Sequence, residues 1–201
     1  MSTIYDDALK LTLRYAPKEE WDAEKLEKTF FFRSYEEIRR QTSGLEIDGI
    51  DKIIVRIYWI GDFIITPRLI AQEGVILFHN ARPLRALSAV LCEQGSLSAD
   101  QVVECDNNLV RTGRVIRFHD GRGRVDVFYH PLYFKFEEKK IAIWRTAFCR
   151  KRVERNHLKV KKGDLITFHR GKAAEILTEE EAGFLEAQTE EIITGFSEGL
   201  R

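Results

Sequence analysis

The chain has 201 residues, of which 44% are apolar and 32% charged, so it is long enough for one sizeable domain or two small ones. Its 32 Lys and Arg balance its 32 Asp and Glu, but residues 111–172 carry 18 basic against 6 acidic residues and the rest carries 14 against 26. The 3 cysteines are widely spaced and form no CxxC pair, which argues against a disulfide framework or a zinc site and favours a reducing compartment.

The N-terminal part is predicted to be helix-rich with a few strands. The first forty residues indicate helices, and Ser34 and Glu37 have the spacing of a capping box. Residues 53–60 are rich in Ile, Val, Tyr and Trp and predict a strand, as does the short run at 75–79. Apolar residues at helical spacing then predict a helix that ends at Gly95.

A second short helix is expected after Ser98, which is placed to cap it, and residues 106–108 are typical of a loop. We predict a domain boundary near residue 108. No apolar run is long enough to span a bilayer, and residues 1–10 lack the apolar core of a signal peptide. We therefore expect a soluble protein that is neither secreted nor associated with a membrane.

Period-two alternation of apolar residues marks the basic stretch, and turn signals at 120–123, 137–140 and 161–164 separate its runs. This pattern predicts a small antiparallel β-barrel or sandwich. Val125 and Val127 should face its core, and Gly121 or Gly123 should take a positive φ.

After the basic stretch, Thr178 and Glu181 form a second capping-box candidate. The helix that follows has an apolar face, which we predict to be an assembly surface, made of Phe184, Ile192 and Phe196. The sequence thus predicts an α+β protein with an N-terminal α+β region (1–108), a basic β-barrel region (109–177) and a C-terminal helix (178–201).

Two catalytic hypotheses can be stated. His119 and His130 flank the predicted hairpin, so with Asp120 or Asp126 they could bind a metal or share a proton; the alternative, which we favour, is ordinary polar positions on a strand pair. Asp126, Glu137 and Lys139 have the order of a D…(E/D)xK nuclease triad, but the last two lie in a turn signal and not in an apolar strand. We predict no catalytic residue, metal or cofactor, and we favour a protein that is not an enzyme.

The strongest remaining signal is a set of basic residues interleaved with three aromatic residues, Trp144, Phe148 and Phe168. The predicted basic binding face is Arg145, Arg150, Lys151, Arg152, Arg155, Lys159, Lys161 and Lys162. This face could neutralise phosphates while exposed rings stack on bases. Its charges could instead serve only to solvate the outside of a barrel whose core the aromatic residues fill. A third alternative is that it binds the acidic C-terminal segment of another copy of the chain.

One family shares part of this pattern. Phe148-Cys149-Arg150, a basic segment, and then Lys-Gly-Asp-Leu-Ile-Thr-Phe at 162–168 resemble the small β-barrel of phage lambda-type head–tail joining (neck) proteins over about residues 114–172. Ala173 and Ala174 stand where that family places an aromatic residue, and the N-terminal 110 residues have no counterpart.

The resemblance implies a non-enzymatic structural protein that forms a homo-oligomeric ring with other virion proteins as partners, located in the virion or the host cytoplasm. The alternative function is nucleic-acid binding through the basic region, including binding that interferes with a nucleic-acid-processing complex. A metal-dependent nuclease is the third hypothesis.

Overall fold

The computed structural model describes residue 40 and residues 56–60, 78–119, 123–155 and 158–198. Contacts divide the chain into two compact units, residues 1–79 and 80–201. In the first unit, residues 56–60 are helical, so the strand predicted over 53–60 is wrong there. The four residues that follow Arg56 are all buried, and a continuous apolar run does not distinguish a buried helix from a buried strand. Of the strand predicted over 75–79, the two described residues, Phe78 and His79, form a bend and a turn, so the prediction is wrong there. The other elements predicted before residue 78 lie almost wholly outside the described residues.

The second unit contains three helices and seven strands among its described residues, which confirms the α+β class. The helices are α1 (Ala81–Gln94), α2 (Ala99–Asn107) and α3 (Glu179–Glu198). The strands are β1 (Arg111–His119), β2 (Arg124–Tyr129), β3 (Leu132–Lys135), β4 (Lys140–Ile143), β5 (Cys149–Glu154), β6 (Leu165–His169) and β7 (Lys172–Leu177). Helices α1 and α2 belong to the same compact unit as the barrel, and this unit begins at residue 80. The sequence predicts the domain boundary after these helices, near residue 108.

The helix ends follow the local sequence. Gly95 ends α1 with φ 70° and donates its amide to the Leu91 carbonyl at 2.8 Å. Ser98 begins α2 with the predicted cap, because its hydroxyl accepts from the Gln101 amide and the Gln101 side chain accepts from the Ser98 amide. Helix α2 continues through residue 107, so the loop predicted at 106–108 is wrong at its first two positions.

The C-terminal helix also begins as predicted. The Thr178 hydroxyl accepts from the Glu181 amide at 3.2 Å, and the Glu181 carboxylate accepts from the Thr178 amide at 2.8 Å. Within the described ranges, no helix has the length and apolar composition needed to cross a membrane.

Five strands close into a barrel in the order β1-β2-β5-β7-β6. Every pairing is antiparallel except that of β5 with β7, which is parallel at Glu154 and Lys172. Numbered within the barrel alone, the order is 1-2-3-5-4 with a parallel contact between the third and fifth strands. A bulge between Val115 and Arg117 bends β1, which pairs with β2 as well as with β6.

The barrel core confirms the predicted hairpin. Val125 and Val127 are fully buried, and Gly123 takes the left-handed conformation at φ 58° before β2 begins. The core also contains apolar residues from the other strands and from the segment between β5 and β6, namely Val115, Val153, Val160, Ile166, Phe168 and Ala173.

Strands β3 and β4 form a separate two-stranded sheet, inserted in the chain between β2 and β5. This hairpin contacts α2 through β3 and α3 through β4. Helix α3 also contacts α1 and the strands β1, β6 and β7, so it lies along one side of the barrel.

Candidate functional site

The outer face of β1, β2 and β5 is built from three cross-strand rows. Successive side chains of a strand point to opposite faces, so the burial of Val125 and Val127 turns their neighbours outward. Strand register then places one residue from each strand side by side. The rows are Arg114–Phe128–Arg150, Arg117–Asp126–Arg152 and His119–Arg124–Glu154.

Five arginines belong to these rows, against one aspartate and one glutamate. We call them the arginine face: Arg114, Arg117, Arg124, Arg150 and Arg152. All five are exposed to solvent.

Three of these arginines have carboxylate partners. Arg114 lies 2.7 Å from Glu179, Arg124 lies 3.6 Å from Glu154 and Arg152 lies 3.4 Å from Asp126. Arg117 and Arg150 make no ion pair with any described residue. The pairs of Arg114 and Arg124 are exposed, and exposed ion pairs stabilise by at most about 1 kcal/mol, so these two arginines remain available to an incoming anion.

A buried carboxylate lies at the centre of the arginine face. Asp126 is 2% exposed, and its Oδ1 lies 2.8 Å from His119 Nε2 and 3.4 Å from Arg152 Nε. Burial alone would raise the pKa of Asp126, but the contacts with His119 and Arg152 outweigh it and lower that pKa below its usual range. Asp126 therefore stays ionised and holds the side chains of His119 and Arg152 in place.

The structure separates the two histidines that flank the hairpin. His119 meets Asp126, whereas His130 follows the opposite end of β2. The Nδ1 atom of His130 lies 3.1 Å from the Ala147 carbonyl, and its ring packs on Phe148 with centroids 4.3 Å apart. In the described part of the chain, no group of three or more His, Cys, Asp or Glu side chains is placed to hold a metal ion.

The nuclease triad is not assembled. Asp126 lies in the barrel, while Glu137 and Lys139 are exposed in the turn between β3 and β4. No contact joins the Asp126 carboxylate to either of them. The D…(E/D)xK hypothesis thus gains no support from the contacts of these three described residues.

Two exposed phenylalanines lie at one end of the arginine face. Phe128 is 43% exposed and Phe148 is 63% exposed, and their ring centroids are 6.2 Å apart at an interplanar angle of 37°. Phe128 lies directly between Arg114 and Arg150 in the first row. Large exposed rings next to cations favour contact with a partner that is both flat and anionic.

A cleft of about 290 Å³ opens beside these rings, between β1, β2 and the first turns of α3. The aromatic residues that line it are Phe128, Tyr129, His130 and Phe148, and the carboxylates of Glu179 and Glu186 of α3 also line it. The cleft thus combines an aromatic surface with acceptor oxygens.

The predicted basic residues divide into several groups. Only Arg150 and Arg152 belong to the arginine face. Arg145 binds Glu186 and Glu190 of α3, the latter at 2.7 Å. Arg155 lies over the Phe118 ring with its guanidinium carbon 6.0 Å from the centroid.

Lys151 is turned towards one end of the barrel. Its ammonium lies 5.7 Å from the Tyr129 ring centroid and 5.4 Å from that of Phe168, and it donates to the Asn107 side chain. Burial lowers the pKa of Lys151. Phe168 is 1% exposed, so it belongs to the core and cannot stack on a ligand.

The other predicted lysines, Lys159, Lys161 and Lys162, are exposed between β5 and β6. The turn at 161–164 lies beside the arginine face, because the Gly163 carbonyl accepts from the Arg114 guanidinium at 2.9 Å.

The three apolar residues of the predicted assembly helix differ in exposure. Ile192 is completely buried, and Phe184 and Phe196 are half-buried. The apolar side of α3 packs on its own fold, so Ile192 offers no surface to a second copy.

Sequence reasoning missed Arg114, Arg117, Arg124 and Phe128. A signal for two of them was present: once Val125 and Val127 are placed inside, alternation puts Arg124 and Phe128 outside. No protein-family model matches the chain, and neither a curated protein nor a solved structure does.

Proposed function

We propose that this protein binds single-stranded nucleic acid with the arginine face and the rings of Phe128 and Phe148. The observation that carries the proposal is the first cross-strand row, in which an exposed phenylalanine lies between two exposed arginines. Strands β2 and β5 are the second and third strands of this five-stranded barrel, and the second and third strands form the ligand surface in barrels of the oligonucleotide/oligosaccharide-binding type.

The chemistry suits a phosphate backbone. A guanidinium group is planar and donates two parallel hydrogen bonds to a phosphate, so Arg117 and Arg150 can each hold one phosphate without first losing a carboxylate partner. The central Asp126 faces His119 and Arg152 and is shielded from solvent, so it repels an approaching anion less than an exposed carboxylate would.

The exposed rings favour a single strand over a duplex. A base stacked on an aromatic side chain contributes about 1–3 kcal/mol, and this contact requires a base that is not already stacked in a double helix. Phe148 is the most accessible ring of the site, at 63% exposed. We therefore expect tighter binding to single strands than to duplexes of the same length.

Fluorescence anisotropy with labelled single strands of about 15 nucleotides, near the upper limit of the site size of one such barrel, tests the proposal. The double variant Arg117→Ala/Arg150→Ala should bind every sequence more weakly, and the slope of log K against log salt should flatten by ~0.7 per lost phosphate contact. The matched control is Arg82→Ala/Arg85→Ala, which removes two exposed arginines from α1, outside the barrel. Equal losses in both double variants, or no binding by the wild type at low salt, would contradict the proposal.

Assembly into a ring, as the resemblance to head–tail joining proteins implies, is a second proposal. The observation that favours it is the β3–β4 hairpin, where Phe136 is 71% exposed and Trp144, next to β4, is 47% exposed. These rings belong to the β3–β4 hairpin, which is a separate sheet from the barrel strands that carry the arginine face.

Light scattering over a range of protein concentrations tests this second proposal. A ring should have a mass several times that of one chain, and Phe136→Ser/Trp144→Ser should reduce it to the monomer mass, since buried aromatic anchors dominate interface energies. Val103→Ser, which removes another exposed apolar side chain, on α2, is the control. A wild-type protein that is monomeric at every concentration would exclude the ring.

A further inference from the structure

We infer that the cleft beside the arginine face receives one unpaired base of the bound strand and prefers a base with an exocyclic amino group, such as cytosine, over thymine. This inference rests on the proposed function. Arg114 of the arginine face lines the cleft together with the rings of Phe128 and Phe148, so a strand held by the face and these rings passes the opening of the cleft.

The size of the cleft limits its occupant. Its volume of about 290 Å³ is at the small end of pockets that hold organic ligands, which start at roughly 300 Å³. One base fits this volume better than a larger ligand. The site should therefore read a single position of the strand.

The charges divide the strand between the two surfaces. The arginine face attracts phosphates, whereas Glu179 and Glu186 on the cleft wall repel them. A nucleobase is uncharged, so it enters the cleft while its phosphates stay on the face. This division fixes which part of the nucleotide enters.

Both carboxylates retain acceptor capacity. Glu186 accepts from the Thr112 hydroxyl at 2.8 Å and from Arg145, and Glu179 accepts from Arg114 at 2.7 Å. An ionised carboxylate offers about four lone-pair sites, so each can accept a further N–H bond. At the ring position where cytosine presents an amino group, which donates to a carboxylate, thymine presents a carbonyl oxygen, which a carboxylate repels.

The rings determine how the base stacks. Phe128 and Phe148 are 6.2 Å apart between centroids, less than the roughly 7 Å that two stacking distances need, so the base stacks on an open ring face and not between the rings. His130 packs against Phe148 at 4.3 Å and restricts the motion of that ring.

Competition binding with single strands of only cytosine or only thymine, about 15 nucleotides long, tests the inference at neutral pH. The wild type should bind the cytosine strand about tenfold more tightly, as one well-placed carboxylate contact predicts. Glu179→Gln/Glu186→Gln should remove this preference, because an amide donates as well as accepts, and Glu179→Gln alone, at an exposed position, should reduce it. Glu190→Gln is the control, since Glu190 also binds Arg145 but does not line the cleft.

The outcomes separate the two claims. Equal affinity of the wild type for both strands, with the expected salt dependence, would overturn the inference and leave the proposed function in place. An unchanged preference in the double glutamine variant would also overturn the inference. Failure of the wild type to bind either strand would remove the proposed function itself.

Discussion

Asn80 donates a side-chain hydrogen bond to the Thr189 hydroxyl at 3.0 Å, although 109 positions separate them in the chain. The Asn80 side chain also donates to the Val110 carbonyl at 3.0 Å and accepts from the Val110 amide at 2.8 Å. Asn80 and Thr189 are both almost completely buried. One amide side chain thus joins the beginning of α1, the residue before β1 and the middle of α3.

Asn80→Ala should lower the free energy of unfolding by about 3 kcal/mol, because it leaves the Val110 amide and carbonyl buried without partners. Urea unfolding followed by circular dichroism measures the change. Thr194→Ala removes an exposed hydroxyl of α3 that donates to the Glu190 carbonyl, and should change the stability by less than about 0.5 kcal/mol. If Asn80→Ala were no more destabilising than Thr194→Ala, the buried amide would not hold these elements together.

Gly113→Ala should destabilise the barrel. A Cβ atom at this position of β1 would lie 3.0 Å from side-chain atoms of Phe168 and Val127, which are both core residues. Overpacking of this kind costs about 1–3 kcal/mol. Gly195→Ala in α3 meets no atom within 4 Å and should stabilise the protein by about 0.5–1 kcal/mol, since alanine favours helix. Thermal unfolding of the two variants should therefore shift in opposite directions.

Asp126 should make the stability depend on acid pH. Its folded pKa is lowered, so its contribution is present above the unfolded pKa, about 3.9, and is lost as the pH falls through the lower folded pKa. Urea midpoints measured from neutral pH downwards should fall less steeply in Asp126→Asn than in the wild type below about pH 4. Asp100→Asn, at an exposed position of α2, should keep the wild-type slope. An unchanged slope in Asp126→Asn would show that its two contacts do not favour the ionised form.

The cysteines should differ in reactivity. Burial, together with the Asp106 carboxylate, raises the pKa of Cys105 to about 12, whereas Cys92 and Cys149 are exposed. Iodoacetamide at mildly alkaline pH should modify Cys92 and Cys149 rapidly in the native protein and Cys105 only after unfolding in urea. Peptide mass spectrometry identifies the modified positions. Rapid modification of Cys105 in the native protein would contradict the burial of this residue of α2.

Local patterns predicted much of the second unit. Alternation around Val125 and Val127 identified the β1–β2 hairpin, and side-chain spacing identified the caps at Ser98 and Thr178. These features depend on residues close together in the chain, where pattern and propensity act directly.

Features that depend on distant pairing could not be predicted in the same way. The arginine face exists because β5 pairs with β2 across the inserted hairpin, which brings Arg150 beside Phe128. Charge density along the chain selected Lys151, but its side chain points towards a barrel end, and Ile192 has the spacing of a surface contact yet packs inside. A linear pattern does not specify which apolar face is covered by the rest of the fold.

The inserted β3–β4 hairpin leaves the barrel and returns to it at neighbouring positions, since Tyr129 and Cys149 are directly paired across β2 and β5. A short loop could join the same two strands, β2 and β5. The barrel therefore does not depend geometrically on what lies between them, and loop length changes its closure entropy only slowly. At residues 130–148 this chain could thus gain, exchange or lose a module over evolution while the barrel remains intact. The same segment is a suitable insertion point for an engineered tag.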